Sequence, residues 1–173
     1  YRSKLWSIEK ASRVIGELMR YTDICITNPG DIKDLFGIVS DKADFDLKKP
    51  DNEGAASVAE KLMKRYPLKG AALTLRTNLS ASDNDFGAML CDGEATVFSR
   101  KYRMHIADRV GGGDAFAAGL IYSLLKQKAP QDAVEFATAA AVLKHSIEGD
   151  FNRVTVSEVE SLAGGDGSGR VRR

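Results

Sequence analysis

The sequence has little of what several classes of protein require. Its 173 residues include two cysteines, one tryptophan and four prolines. Cys25 and Cys91 lie in apolar runs without metal-ligand spacing, so we predict reduced core thiols of a cytoplasmic protein rather than a disulfide framework. The net charge is +1. A balance this close to neutral gives no strong attraction to nucleic acid or to a membrane surface, so neither is expected as a partner.

Long apolar runs are also lacking. No run approaches the roughly 20 residues that span a bilayer, and no signal peptide opens the chain. The chain opens instead at Tyr1 without an initiator methionine, so we expect it to begin within a longer protein. Hydrophobic residues make up 43% of the sequence, and the length is sufficient for one domain with a sizeable core.

What is present is an alternation of helical and strand patterns. The apolar spacing predicts long helices over 7–21, 53–66 and 131–145 and a short helix that ends at Phe36. Strands are predicted over 23–27, 71–75 and 102–106, with a hairpin over 86–99 around Asp92-Gly93. This order is typical of an α/β domain with a mainly parallel sheet. Residues 76–85 are predicted to form a polar loop at a strand end, where ligands bind in such sheets.

Three consecutive glycines open a further helix, predicted over 114–127. Gly111, Gly112 and Gly113 allow a tight turn and a close approach to the backbone. The first turn of a helix leaves several N–H groups unpaired at the positive end of its dipole, which is a site for phosphate. Asp114 would repel that anion, so its placement favours a partner for a hydroxyl group that attacks the anion. The alternative is a flexible loop in which Asp114 caps the helix.

The segment from Asp108 to Gly119 closely resembles the C-terminal signature of the ribokinase/PfkB carbohydrate kinases, whose usual form is Asp-Thr-x-Gly-Ala-Gly-Asp-x-Phe. Further segments appear in the order expected for that family: Tyr1-Arg2-x-x-Leu-Trp6, Asn28-x-x-Asp31 with Leu35-Phe-Gly37, Thr74-Leu-Arg76, and Lys144-His-Ser-Ile-x-Gly-Asp150. The combination is most similar to the 2-keto-3-deoxygluconate kinases of the family.

The resemblance implies a three-layer α/β/α ribokinase-like fold that binds ATP and a sugar. It implies that Asp114 is the catalytic base that faces the sugar hydroxyl. It also implies that Gly111, Gly112, Gly113 and Asp114 donate their N–H groups to the transferring phosphoryl group, with Gly111 and Gly113 also contacting the nucleotide. The physics of phosphoryl transfer agrees, because positioned donors and an in-line hydroxyl supply most of the catalysis. No Gly-x-x-x-x-Gly-Lys-Ser/Thr loop is present, which excludes a P-loop route.

By the same resemblance, Asn28 and Asp31 match the family's Asn-x-x-Glu segment near Mg²⁺ and the phosphates. Asp31 is one methylene shorter than the usual glutamate, so coordination through water is expected. The alternative is an Asx turn that caps the short helix. Arg2 resembles an arginine that faces the sugar acid, where its planar fork suits bidentate contact. Its alternative is a solvated surface charge.

The nucleotide site is implied to include residues from two further segments. Thr74, Arg76 and Ser82 fall where the family's strand-end loop lines the nucleotide, although glycines are usual there. Lys144 and Ser146 fall where the last core helix passes the adenine, and His145 is interpreted as a satisfied core or surface histidine. In many relatives, backbone carbonyls beside the Asp-Thr pair hold a monovalent cation. Arg109 replaces that threonine here and disfavours such a cation.

The resemblance covers residues 1–163, with 164–173 predicted to be a flexible tail. Relatives run to roughly twice this length, and their first half supplies the sugar-binding segment and a lid that often pairs subunits. We therefore expect the 173 residues alone to bind ATP weakly without turning over sugar, and the whole protein to form a homo-oligomer. Two alternatives remain open: another sugar substrate, as in a fructokinase, and a non-catalytic nucleotide-binding module.

Overall fold

A five-stranded mixed sheet forms the middle layer of the fold in a computed structural model, which describes residues 1–165. The strands are β1 (Ile24–Thr27), β2 (Gly70–Asn78), β3 (Asp83–Cys91), β4 (Thr96–Phe98) and β5 (Tyr102–His105). β1 pairs with β2 in parallel, whereas β2 with β3, β3 with β4 and β3 with β5 are antiparallel. The prediction of a mainly parallel sheet is therefore wrong for this chain, because hairpin connections rather than crossovers join most of its strands.

Six α-helices accompany the sheet in the described part of the chain. They are α1 (Ile8–Leu18), α2 (Pro29–Phe36), α3 (Asn52–Arg65), α4 (Gly112–Leu125), α5 (Pro130–Lys144) and α6 (Val156–Gly164). A 3₁₀ turn over Met19–Tyr21 extends α1, so the predicted helix over 7–21 is confirmed. The other predicted helices are confirmed to within a few residues. Gly37 ends α2 with φ +65°, a conformation that favours glycine.

The two faces of the sheet bury different helices, because alternate residues of a strand point to opposite sides. On β2, Ala71, Leu73 and Leu75 pack with helix α3 and with Ile32 of α2. Ala72 lies in the opposite cluster with three residues of β3, with α4 and with α5; the β3 residues are Phe86, Ala88 and Leu90. The predicted three-layer α/β/α arrangement is confirmed.

Helix α5 is buried on several sides, as its segment 133–143, which is apolar nearly all round, predicts. One side packs on the sheet and on α4, while Phe136, Ala139 and Ala140 pack with Val159 of α6. Helix α6 was not predicted. It includes Gly164, the first residue of the predicted tail, and residues 166–173 of that tail lie outside the described residues.

The predicted polar loop over 76–85 is instead the end of a long hairpin. Pairing between β2 and β3 continues to Asn78 opposite Asn84, so only 79–82 connect the two strands. The β3–β4 connection spans 92–95 rather than two residues, and the Asp92 carboxylate accepts hydrogen bonds from the N–H groups of Glu94 and Ala95. Both cysteines are free thiols. None of the helices described here has the length and apolar character that crossing a bilayer requires.

Candidate active site

The glycine turn joins β5 to α4 and starts the helix at Gly111. Gly111 is the N-cap residue with φ +79°, and its carbonyl accepts the first helical hydrogen bond from the N–H of Ala115 at 2.8 Å. A β-carbon at Gly111 would lie 2.5 Å from the Asp150 carbonyl oxygen. Both the backbone conformation and the close approach of 147–150 therefore require glycine at this position.

The first turn of α4 presents its donors to open space. No hydrogen bond within the described residues uses the N–H groups of Gly112, Gly113 or Asp114, and no side chain caps the helix. A β-carbon at Gly113 would meet no atom within 4 Å. Asp114 is exposed, and its carboxylate has no hydrogen-bond or ion-pair partner in the described part of the chain. Among the described residues, these features suit the turn to bind an anion, with the carboxylate of Asp114 beside it.

The buried ring of His145 supports this turn from below. A β-carbon at Gly112 would overlap that ring, so the turn packs directly on the imidazole. Nδ1 lies 2.6 Å from the Ala141 carbonyl oxygen, and Nε2 lies 2.8 Å from Nη2 of Arg76. Because a carbonyl only accepts, we assign the proton to Nδ1 and the acceptor role to Nε2. The interpretation of His145 as a satisfied core histidine is confirmed.

The surroundings of His145 favour its neutral form. Burial lowers the pKa of its ring, and the charges of Arg76, Lys144 and Arg109 lower it further, against the opposing hydrogen bond to Ala141. Arg76 itself stacks its guanidinium 5.5 Å from the centre of the Phe86 ring. Burial lowers the pKa of Arg76, and the charge of Arg109 adds to this effect. Arg76, Lys144 and Arg109 thus place positive charge near the glycine turn.

Asp108 organises the chain just before the glycines. Its Oδ1 accepts from the N–H of Val110 at 2.9 Å and its Oδ2 from the N–H of Gly149 at 2.9 Å. These hydrogen bonds lower the pKa of the Asp108 carboxyl. Its own N–H donates to the His145 carbonyl at 3.2 Å. The carboxylate is therefore a structural clamp between two loops.

Two predicted nucleotide contacts lie on the segment that follows α5. Lys144 is completely buried, and its Nζ donates to the Ile147 carbonyl at 3.0 Å. Ser146 is exposed, and its hydroxyl donates to the Leu143 carbonyl at 2.7 Å. The structure therefore places Lys144 against protein rather than solvent, whereas Ser146 lies at the surface. Their contact with a nucleotide stays a prediction.

The remaining predicted nucleotide contacts lie near the ends of β2 and β3. The Thr74 hydroxyl donates to the Thr27 carbonyl at 3.4 Å, which links β2 to the end of β1. Ser82 lies in the connection after β2, and its carbonyl accepts from the N–H of Ile106 at 2.7 Å. Arg76 is the member of this group that the structure joins to the glycine turn, through His145.

The predicted metal residues follow β1 at the start of α2. Asn28 is the N-cap: its Oδ1 accepts from the N–H of Asp31 at 2.9 Å, and its Nδ2 donates to Asp31 Oδ2 at 2.6 Å. Asp31 Oδ1 lies 3.0 Å from the backbone nitrogen of Tyr1. The capping alternative is thus observed. Arg2 follows Tyr1 and is exposed, and its guanidinium makes no hydrogen bond or ion pair within residues 1–165.

This donor set fits Mg²⁺ only in part. Asp31 supplies one carboxylate, and the described residues contain no group of three or more His, Cys, Asp or Glu side chains that could hold a metal ion. Mg²⁺ commonly keeps several waters and binds through one or two carboxylates together with substrate phosphates. Asn28 and Asp31 therefore suit contacts to the waters of a phosphate-bound Mg²⁺ rather than a cage made by the protein.

Comparisons with known proteins show similarity to carbohydrate kinases. The family described as pfkB family carbohydrate kinase matches residues 1–153. The 2-dehydro-3-deoxygluconokinase of Thermotoga maritima is 39% identical, with a TM-score of 0.88 over 95% of this chain and 49% of that chain. A PfkB family carbohydrate kinase of Listeria grayi is 33% identical, with a TM-score of 0.82 over 95% of this chain and 48% of that chain.

A further relative is also about twice as long as this chain. The 2-dehydro-3-deoxygalactonokinase of Haloferax volcanii is 26% identical over 167 residues, which are 96% of this chain and 46% of the relative. The chain thus spans about half the length of the proteins that it matches. The glycine turn, the Asp114 carboxylate and the arginines near the turn all lie within residues 1–153, which the family matches.

Proposed function

Because the chain belongs to the pfkB family of carbohydrate kinases, we propose that it supplies the ATP-binding and phosphoryl-transfer half of a sugar-acid kinase. The proposed acceptor is 2-keto-3-deoxygluconate, phosphorylated at its terminal hydroxyl. Both relatives whose names specify a 2-dehydro-3-deoxy sugar acid support this class of acceptor, and the relative at 39% identity, rather than the galactonokinase at 26%, supports the gluconate form.

One observation carries the proposal: the first turn of α4 has three N–H groups without partners among residues 1–165, and open space lies in front of Gly113. A phosphoryl group that leaves ADP spreads negative charge over its equatorial oxygens. N–H groups that are fixed before the reaction stabilise such charge without reorganisation. The rigid support from His145 and Asp150 holds the donors in place, so the turn acts as the anion hole.

Asp114 acts as the general base. Its carboxylate accepts the proton of the terminal sugar hydroxyl as that oxygen forms a bond to the γ-phosphorus of ATP. The bond from this phosphorus to the β,γ-bridging oxygen breaks, and ADP leaves with the electron pair. Asp114 has no partner within the described part of the chain, which supports this role, because a carboxylate already tied to the protein would have to break that contact first.

The other predicted residues bind and orient the reactants. Arg76 and Arg109 would supply positive charge near the turn, and Thr74 and Ser82, which are half-buried, together with the exposed Ser146 would contact the nucleotide. Mg²⁺ bound to the ATP phosphates would neutralise part of their charge. Asn28 and Asp31 would hold its waters, and Arg2 would pair with the carboxylate of the sugar acid.

The test is a product assay on the longest form of the protein that carries this sequence. ATP is supplied with 2-keto-3-deoxygluconate, 2-keto-3-deoxygalactonate or fructose, and phosphorylated sugar is identified by mass and ³¹P NMR. We expect the gluconate substrate to give the highest kcat/KM. Faster turnover of fructose would show that the proposed acceptor is wrong, while ATP-dependent phosphoryl transfer would stand. ATP binding without product from any sugar would identify a nucleotide-binding module instead.

A further inference from the structure

Lys144 is a buried cation without a carboxylate partner. Its side chain is fully buried at the end of α5, yet no carboxylate lies within 4.0 Å of its ammonium in the described part of the chain. The ammonium donates to one backbone oxygen, that of Ile147. Buried charges are retained when they are paired or when they bind a specific group, so this arrangement requires an explanation.

The position of this side chain explains its burial. A β-carbon at Gly111 would lie 3.1 Å from Lys144 Cε and 3.3 Å from Asp150 Oδ1. The lysine therefore lies between the glycine turn and the segment 147–150. Its charge is felt by Asp108, whose pKa it helps to lower, and Asp108 is the clamp between the same two segments.

A free monovalent cation, which the resemblance to the family raises for this region, does not fit these residues. Both carboxylate oxygens of Asp108 already accept N–H groups. The Ala81 carbonyl accepts from Arg109 Nη2 at 2.8 Å, and the Ile147 carbonyl accepts from Lys144. Backbone N–H groups thus occupy the carboxylate oxygens, and cationic side chains occupy the two carbonyl oxygens. A further cation would meet repulsion from Arg109 and Lys144.

We propose that the ammonium of Lys144 serves as a built-in monovalent cation, which ties 147–150 to the glycine turn and makes the turn independent of K⁺ or NH₄⁺. Lys144 is then a positioning residue, and this role replaces its predicted contact with the nucleotide. The effect on phosphoryl transfer rests on the proposed function. The effect on the fold of the turn does not, so thermal unfolding tests it even if the chain transfers no phosphate.

The first measurement compares salts at matched ionic strength. The melting temperature of the wild-type chain and its Kd for ATP are measured in KCl, NH₄Cl and tetramethylammonium chloride, whose cation is too large to replace a lysine ammonium. We expect the melting temperature and the Kd to be the same in all three salts. Stabilisation of the wild-type chain specifically by K⁺ or NH₄⁺ would overturn the proposal, because it would show a cation site that Lys144 does not fill.

The second measurement removes the charge in two ways. Lys144→Ala opens a space, and we expect its melting temperature to fall by about 5–10 °C and to recover at least partly in KCl or NH₄Cl but not in tetramethylammonium chloride. Lys144→Met fills the space without a charge, so we expect a lower melting temperature with no recovery in any salt. A Met variant as stable as the wild type would overturn the proposal even if the Ala variant failed to fold, since the lysine would then be a space-filling side chain.

Discussion

Nη2 of Arg76 lies 2.8 Å from Nε2 of His145, although the two residues are 69 positions apart in the sequence. This hydrogen bond joins β2 to the imidazole on which Gly112 packs. A change at Arg76 on β2 can therefore reach the glycine turn, the proposed phosphate site, through the side chain of His145. The predictions below separate the groups that are proposed to react from the groups that hold them.

Asp114→Asn should lower kcat by about 10²–10⁴ with the Kd for ATP nearly unchanged, because only the proton acceptor is lost. Asp132→Asn is the matched control: Asp132 is also an exposed aspartate at the third residue of a helix. Steady-state kinetics and calorimetric ATP titration measure both variants. Equal activity of the two variants would show that Asp114 is not the catalytic base.

Gly112→Ala and Gly113→Ala should differ in stability although the residues are neighbours. The Gly112 methyl would overlap the His145 ring, which should cost about 1–3 kcal/mol. The Gly113 methyl has open space, so that variant should melt as the wild type does. Its methyl lies where the phosphoryl group is proposed to bind, and we expect kcat to fall by about tenfold to a hundredfold. Thermal unfolding and steady-state kinetics are measured on both variants. Equal melting temperatures of the two variants would contradict the packing of Gly112 on the His145 ring.

Stability should depend on the charge of His145. Because its pKa is lower in the folded than in the unfolded chain, the folded state disfavours the protonated ring. This contribution is fully present above the unfolded pKa of about 6.5 and is lost as pH falls below that value. His145→Gln, whose amide oxygen can still accept from Arg76, should remove this part of the pH dependence.

Urea unfolding between about pH 8 and pH 5 measures the effect, as the difference between variant and wild type. His105→Gln is the control, since His105 is exposed and pairs with Asp83 at the surface. It should keep the loss of stability that His145 causes on acidification. If the free energy of unfolding depended on pH in the same way for the wild type and His145→Gln, folding would not disfavour the protonated ring.

Cys25 should react slowly with alkylating reagents in the folded chain. Burial raises the pKa of its thiol to about 11. Since the thiolate is the reactive form, alkylation by iodoacetamide at pH 8 should be about a hundredfold slower than in urea-unfolded chain. Intact mass followed over time, with peptide mapping to separate Cys25 from Cys91, gives the rate. Fast labelling of Cys25 under native conditions would contradict its burial.

Local patterns in the sequence were sufficient to predict helices α1 to α5 and the glycine turn. The three glycines predict a turn that opens a helix, and the nearly all-apolar segment 133–143 predicts the burial of α5 on several sides. Helix α6 has few apolar residues to give a period, but Thr155 and Glu158 form a capping box that could have identified it.

Contacts between distant residues could not be predicted in this way. The length of β2 was underestimated because Arg76 and Asn78 are polar, and only the cross-strand pairing with β3 makes this segment a strand. The role of His145 depends on Arg76, Gly112 and Ala141 together, and no spacing in the sequence indicates that set. The burial of Lys144 likewise follows from where 147–150 crosses the turn.

The central claim is that residues 111–114 hold the phosphoryl group during transfer. Its most direct test is a crystal structure of the longest form of the protein with ADP, fluoroaluminate and 2-keto-3-deoxygluconate. We predict fluorines about 2.7–3.1 Å from the N–H nitrogens of these residues, with the Asp114 carboxylate at hydrogen-bond distance from the terminal sugar hydroxyl. A fluoroaluminate bound away from the glycine turn, or an Asp114 side chain directed into solvent, would contradict the claim.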